Sequence, residues 1–175
     1  VTLKLERDGK TFEKTLTRQA IKLPNVPYYG IVGGNVGYIK LNEFTQDAAK
    51  NVREAFANLK SNNPSMKGVI LDLRGNGGGL MNEAVDIVNM FVKKNELVVE
   101  TKGKGASKTI KSYTQRLPDD LNIPVAVLID GYSASASEIV SGSLQDFDRA
   151  VIIGSRSYGK GLVQNILPMA YNNQM

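Results

Sequence analysis

Val69-Ile70-Leu71-Asp72-Leu73-Arg74-Gly75-Asn76-Gly77-Gly78-Gly79-Leu80 passes from an apolar strand into a glycine-rich loop. Val69 to Leu73 is a short, mostly aliphatic run, as expected of a strand buried on both faces. The glycines that follow let the backbone adopt φ > 0 and approach a ligand closely. A helix over about 80–93 comes next, with Leu80, Ala84, Val88 and Phe91 on one side at helical spacing. Strand, loop and helix in this order are the repeating unit of an α/β layer with parallel strands. In such sheets, sites form beyond the carboxyl ends of the strands.

The unit recurs on either side. Upstream, Val36 to Leu41 reads as a strand, and Thr45 is placed to cap a helix across about 46–60. Ala49, Val52, Phe56 and Leu59 form its apolar face, and Asn62-Asn63-Pro64 ends it. Downstream, Leu97-Val98-Val99 is a short strand, and residues 101–122 read as a polar surface excursion. Val125 to Ile129 is a second buried strand, followed by a helix over about 134–147. Ala150 to Ile153 is the next strand and Gly161 to Leu167 the expected last one. At the start of the chain, Val1, Leu3 and Leu5 alternate with polar residues, and Asp8-Gly9 favours a hairpin turn. Phe12 and Leu16 lie on the return strand, so residues 1–18 read as a β-hairpin. Ile21 to Pro27 reads as an extended linker.

Composition narrows the chemistry. The 175 residues contain no Cys, His or Trp. A disulfide framework, a thiolate nucleophile, a Cys/His zinc site and a Ser-His-Asp triad are all excluded. If the chain is an enzyme, a lysine or a carboxylate must move its protons. Hydrophobic residues make up 42% and charged residues 22%, which suits a packed core. The net charge is +5, but basic and acidic residues intermingle, as in Glu6-Arg7-Asp8 and Lys93-Lys94-Asn95-Glu96, so no nucleic-acid partner is expected. No apolar run is long enough to span a bilayer, and Val1 to Arg7 has strand character, not that of a signal peptide.

Three loops follow strands and can carry chemistry. The first, Asp72 to Gly79, leads into a helix N-terminus whose free N–H groups favour negative charge. It reads either as an oxyanion hole or as a flexible strand–helix turn. The second, Gly131-Tyr132-Ser133-Ala134-Ser135-Ala136-Ser137-Glu138, alternates serines with alanines where a strand gives way to a helix. A serine there can be an exposed nucleophile or a helix N-cap; capping needs one serine, not three. The third, Gly154-Ser155-Arg156-Ser157-Tyr158-Gly159-Lys160-Gly161, is nearly a phosphate loop, but Gly161 stands where a Ser or Thr should bind Mg²⁺. Ser157 and Lys160 also match a Ser-x-x-Lys pattern, which the glycines beside Lys160 disfavour as a helix start. With no histidine, a serine pairs most naturally with a lysine, which burial keeps neutral.

Over about residues 36–167 the chain resembles the carboxyl-terminal processing peptidases, also called tail-specific proteases. The resemblance is carried by Gly37-Tyr38-Ile39 with Phe44, by Asp72-Leu73-Arg74 with Asn76, Gly78 and Gly79, and by Ser133 to Glu138. Tyr158-Gly159-Lys160-Gly161 followed by Val163-Gln164 completes it. It implies Ser135 as nucleophile, Lys160 as general base and later acid, and Gln164 as the residue that positions Lys160. The N–H groups of Gly79 and Ala136 would form the oxyanion hole, with Asp72, Arg74 and Glu138 as structural supports. No cofactor or metal is implied.

The resemblance also implies a crotonase-like, ClpP-like α/β core. Residues 1–22 would be the C-terminal remnant of a PDZ domain with its linker. Residues 23–175 would be the peptidase core, stopping short of the family's next segment. The implied partner is a protein or peptide with an accessible C-terminus, and the implied location is the periplasm or cell envelope. Two rival readings are a nucleotide-binding domain on Gly154 to Lys160 and a non-catalytic peptide-binding module.

Overall fold

The computed structural model describes residues 1–19, 23–103 and 109–164. A hairpin opens the chain, β1 (Thr2–Arg7) pairing antiparallel with β2 (Lys10–Thr15). Asp8 and Gly9 both take positive φ, 53° and 73°, as the two-residue turn requires. Every strand residue of this hairpin is exposed.

The body is a five-stranded mixed sheet in the order β3-β4-β5-β8-β9. Its strands are β3 (Tyr28–Val32), β4 (Val36–Lys40), β5 (Gly68–Asp72), β8 (Val125–Ile129) and β9 (Ala150–Gly154). β4, β5, β8 and β9 run parallel, while β3 turns back antiparallel on β4. The parallel strands are linked by α1 (Ala48–Asn62), by α2 (Met81–Val88) with the hairpin β6 (Leu97–Lys102) and β7 (Thr109–Tyr113), and by α3 (Ala136–Asp146).

Strand periodicity places the core. Ile39, Leu71 and Val127 are neighbours across the sheet and are buried beneath α1, α2 and α3, which pack on one another in chain order. The row on the opposite face, Tyr38, Ile70, Ala126 and Val151, is half-buried to exposed. β5 is buried at every residue except Ile70, which is half-buried, so burial on both faces holds over most of the strand. Phe56 and Phe91 meet edge to face at 5.5 Å between α1 and the end of α2.

Several expectations need correction. β3 was not anticipated, and the polar excursion 101–122 contains β7. Thr45 does not cap α1: its hydroxyl donates to Asn25 Oδ1 at 2.7 Å. The first turn of α1 is served by Glu83 of α2, whose carboxylate accepts the Ala49 N–H at 2.8 Å. Leu80 is exposed at the start of α2 instead of lying on its buried face. Residues 161–164 of the expected last strand are not in a strand, and its remainder lies outside the described residues.

The loops at the strand ends are stitched together by backbone contacts. Phe44 N–H donates to Gly78 O and Leu80 N–H to Phe44 O, which presses the chain after β4 against the glycine loop. Asn76, with no exposed surface, donates from Nδ2 to Leu41 O at 3.0 Å and accepts Gly78 N–H on Oδ1 at 2.9 Å. Beside it, the buried Asp72 carboxylate joins β4 to β5. It accepts the Tyr38 hydroxyl at 2.5 Å, a bidentate pair from Arg74 and a longer bond from Lys40. Burial opposes its charge, but the bonds from Arg74 and Tyr38 outweigh burial and hold the carboxyl well below the usual carboxylate range.

Asp72 thus stabilises the fold at neutral pH, and that contribution disappears as acid protonates it. Asp72→Asn should lower stability by about 2 kcal/mol at pH 7, with the gap to wild type narrowing in urea titrations below pH 4. Gly78 takes φ 101°, and a Cβ there would lie 2.6 Å from Ala134 O and 2.8 Å from Ser135 Cβ. Gly78→Ala should cost about 1–3 kcal/mol by urea denaturation. An unchanged midpoint would refute the close packing of the glycine loop on the serine turn.

Candidate active site

β5, β8 and β9 end side by side, so their three loops meet. The serine turn after β8 is sewn to the glycine loop after β5. Ser133 Oγ donates to Leu73 O at 2.8 Å, Ser137 Oγ to Asn76 O at 2.9 Å, and Ala134 N–H to Asn76 O at 3.1 Å. Asp130 closes the same seam by accepting the N–H groups of Gly75, Tyr132 and Ser133. These three N–H groups, with the Ser133 hydroxyl, hold its carboxyl below the usual range.

This arrangement separates the three serines. Ser133 and Ser137 are fully buried and act as tethers. Ser135 stands at the strand-to-helix turn with φ 56° and ψ −113°, a conformation uncommon for a non-glycine residue. It is the N-cap of α3, where the N–H groups of Ser137 and Glu138 are bonded to Ala134 O and Ser135 O and that of Ala136 is not. The Gly79 and Ala136 N–H groups have no acceptor among the described residues. A Cβ on Gly79 would collide with Phe44 O, so glycine is what allows this loop to pass so close.

Glu138 joins the serine turn to the loop after β9. Its Oε2 accepts Ser135 N–H at 2.7 Å and Lys160 N–H at 3.1 Å. Its Oε1 accepts Ser157 Oγ at 2.8 Å and Gly159 N–H at 2.6 Å. Burial works against the charge, but these donors hold the carboxyl below its usual range. Tyr158 N–H adds a bond to Ser133 O at 3.0 Å. The N–H groups that a phosphate loop would offer an anion are therefore already turned onto Glu138, and no helix begins over 161–164. Both facts disfavour nucleotide binding on Gly154 to Lys160.

Lys160 is half-buried, and its Nζ donates to Gln164 Oε1 at 3.4 Å. Ser135, Ala136, Lys160 and Gln164 line one groove of about 780 Å³, together with Gly79 and the Phe44 segment. The structure records no hydrogen bond between Ser135 Oγ and Lys160 Nζ; they share the groove. A second groove of about 740 Å³ reaches Ser135 from the side of β6. Ile139, one helical turn after Ser135, and Val163 line both grooves. Asp72 and Arg74 line neither; they brace the base of the glycine loop.

Asn76 and Asp130 were not singled out as site-shaping residues by sequence. Each is an Asx residue just after a strand, where its side chain can bond backbone N–H groups two or three residues on. The segment Glu43 to Gln46 walls the first groove, a role the sequence does not signal although Phe44 belongs to the family resemblance.

Comparison with known proteins gives the chain's family and fold. A carboxy-terminal-processing protease of Bartonella bacilliformis is 39% identical over the whole of this chain, which spans 41% of that relative. A CtpA-like serine protease of Staphylococcus saprophyticus is 34% identical over 94% of the chain, which spans 33% of its length. The solved structure of a photosystem II D1 C-terminal processing protease superposes with a TM-score of 0.70, at 28% identity, covering 92% of this chain and 43% of the other. An S41 protease structure from Bacteroides fragilis, 20% identical, shares the fold with a TM-score of 0.71 over 98% of this chain and 50% of its own. Residues 35–175 match Peptidase family S41, and the chain belongs to that family.

Proposed function

We propose that the protein is a serine endopeptidase with a Ser135–Lys160 pair, acting on polypeptides from their C-terminal tails. The observation that carries this reading is Glu138, which ties the backbone of Ser135 to the backbone of Lys160 at one carboxylate. Ser135 Oγ attacks a peptide carbonyl, and Lys160 Nζ takes its proton. The Gly79 and Ala136 N–H groups stabilise the oxyanion of the tetrahedral intermediate. Lys160 then protonates the leaving amine, and the C–N bond breaks to leave an ester on Ser135. Lys160 next deprotonates water, which hydrolyses the ester. Gln164 holds the lysine by accepting from its Nζ. Asp72 and Arg74 support the glycine loop.

Family membership supports a crotonase-like, ClpP-like core over residues 23–175 and a PDZ-derived hairpin with its linker over residues 1–22. It also supports a protein or peptide substrate and a periplasmic or envelope location. No helix among the described residues is long and apolar enough to cross a membrane. A non-catalytic peptide-binding module is the rival, and it predicts binding without cleavage.

The test is cleavage of an unfolded protein by the intact enzyme. Ser135→Ala and Lys160→Ala should each lose on the order of 10⁴-fold or more in kcat. Full turnover by either variant would sink the pairing. Glu138→Gln can satisfy fewer of the four donors, since its amide nitrogen is not an acceptor. It should lower kcat on the order of 10²-fold with KM little changed. A change in KM alone would mean that Glu138 shapes substrate binding instead of the catalytic pair.

A further inference from the structure

The Gly79 N–H sits on a peptide bond with no side chain on either flank. Gly78 and Gly79 hold φ of 101° and 140°, and glycine moves between backbone conformations at little steric cost. Hydrogen bonds must therefore set the direction of this N–H. Phe44 N–H donates to Gly78 O at 3.0 Å, and Leu80 N–H donates to Phe44 O at 2.7 Å. Together they make a parallel bridge between Phe44 and Gly79. A trans peptide points its C=O and N–H in opposite directions. With Gly78 O drawn to Phe44, the Gly79 N–H is turned away from it and has no acceptor among the described residues. Without the Phe44 bond, this peptide could turn over and offer a carbonyl in place of a donor.

Phe44 is in turn held by Asn25. The Phe44 side chain is wholly buried, but Asn42, Glu43, Thr45 and Gln46 around it are exposed and lie in no strand or helix. Asn25 is only 6% exposed and reaches this segment at Asn42, Thr45 and Gln46. Its O accepts the Asn42 N–H at 2.9 Å. Its Oδ1 accepts the Thr45 hydroxyl at 2.7 Å, and its Nδ2 donates to Gln46 O at 3.1 Å. The bonds fall on both sides of Phe44 in sequence. An amide suits this role because one short side chain offers both a donor and an acceptor. Asn25 is itself stiffened, since Pro24 has a fixed φ and Pro27 holds Val26 extended. Asn25 lines neither groove.

We propose that Asn25 is a positioning residue for catalysis. By clasping the chain on both sides of Phe44, it keeps the Gly78–Gly79 peptide turned so that the Gly79 N–H meets the oxyanion. It acts through Phe44 and touches neither substrate nor the reacting atoms. The inference rests on the reading of Ser135 as nucleophile and Gly79 as oxyanion donor. An oxyanion exists in the transition state and not in the bound substrate. Loosening the clasp therefore weakens transition-state binding selectively, and the loss falls on kcat more than on KM.

The experiment uses the intact protein and a peptide spanning a cleavage site mapped in β-casein digested by the wild type. Asn25→Ala should lower kcat by about tenfold to a hundredfold, with KM within about twofold of wild type. A peptide aldehyde of the same sequence forms an adduct on Ser135 whose oxygen occupies the oxyanion position, and its affinity should fall in parallel with kcat. Thr45→Val removes one of the two side-chain bonds with little change of shape. It should lower kcat to a smaller degree, and it decides the matter if Asn25→Ala does not fold. The double variant should be no slower than Asn25→Ala, because both changes break the same bond. Unchanged kcat in the folded variants, a change in KM alone, or aldehyde affinity that stays at the wild-type level would overturn the proposal. So would losses that multiply in the double variant. Urea denaturation checks that each variant is folded under assay conditions. Ser135→Ala is assayed alongside. If it cleaved as fast as wild type, the nucleophile reading would fail; if it were inactive while Asn25→Ala kept full kcat, the positioning role alone would fail.

Discussion

The carboxylate of Glu138 is the interaction on which the site depends. The proposed nucleophile and its lysine follow different strands, Ser135 after β8 and Lys160 after β9, and nothing in the chain's local geometry sets their separation. One ionised carboxylate does so by accepting four donors, from Ser135, Ser157, Gly159 and Lys160. A carboxylate is acceptor-only, with room for about four hydrogen bonds, so no other side chain of this size could serve all of them. The donors in turn keep it charged against the cost of burial.

The strained turn at Ser135 persists because its surroundings over-determine it. Ser133 and Ser137 anchor the residues on either side to carbonyls of the glycine loop. Gly78 then leaves no room for the turn to relax toward that loop. The glycine loop is itself held by Asn76 from within and by Phe44 from the neighbouring chain. Parallel strands are the reason this works. Their carboxyl ends lie side by side, so loops far apart in sequence can share hydrogen bonds at one rim of the sheet.

Much of this was legible in the sequence. The apolar runs at Val69 and Val125 mark β5 and β8, and the helical spacing from Ala49 to Leu59 marks α1, because burial leaves a periodic trace. What escaped depends on tertiary partners. β3 leaves no strand signal beyond the linker's end at Pro27, because Tyr28 to Val32 is a half-exposed edge strand with little alternation. β7 is exposed and polar, and the hairpin with β6 defines it. Thr45 has the composition of a cap, yet its hydroxyl is drawn to Asn25, and Glu83 from another helix takes over the service of α1. The three serines look alike in sequence, and only the carbonyls of Leu73 and Asn76 distinguish the tethers from Ser135. The resemblance names Glu138 as a support, but its four donors come together only when β9 brings its loop alongside.

The most direct measurement of the central claim, that this clasped turn presents Ser135 alone as a nucleophile, is covalent labelling of the intact protein with a fluorophosphonate. The modified peptide is then sequenced by mass spectrometry. The expected result is a single adduct on Ser135, with Ser133, Ser137 and Ser157 unmodified. An adduct on any of those three, or proteolysis by a protein that forms no adduct at Ser135, would contradict it.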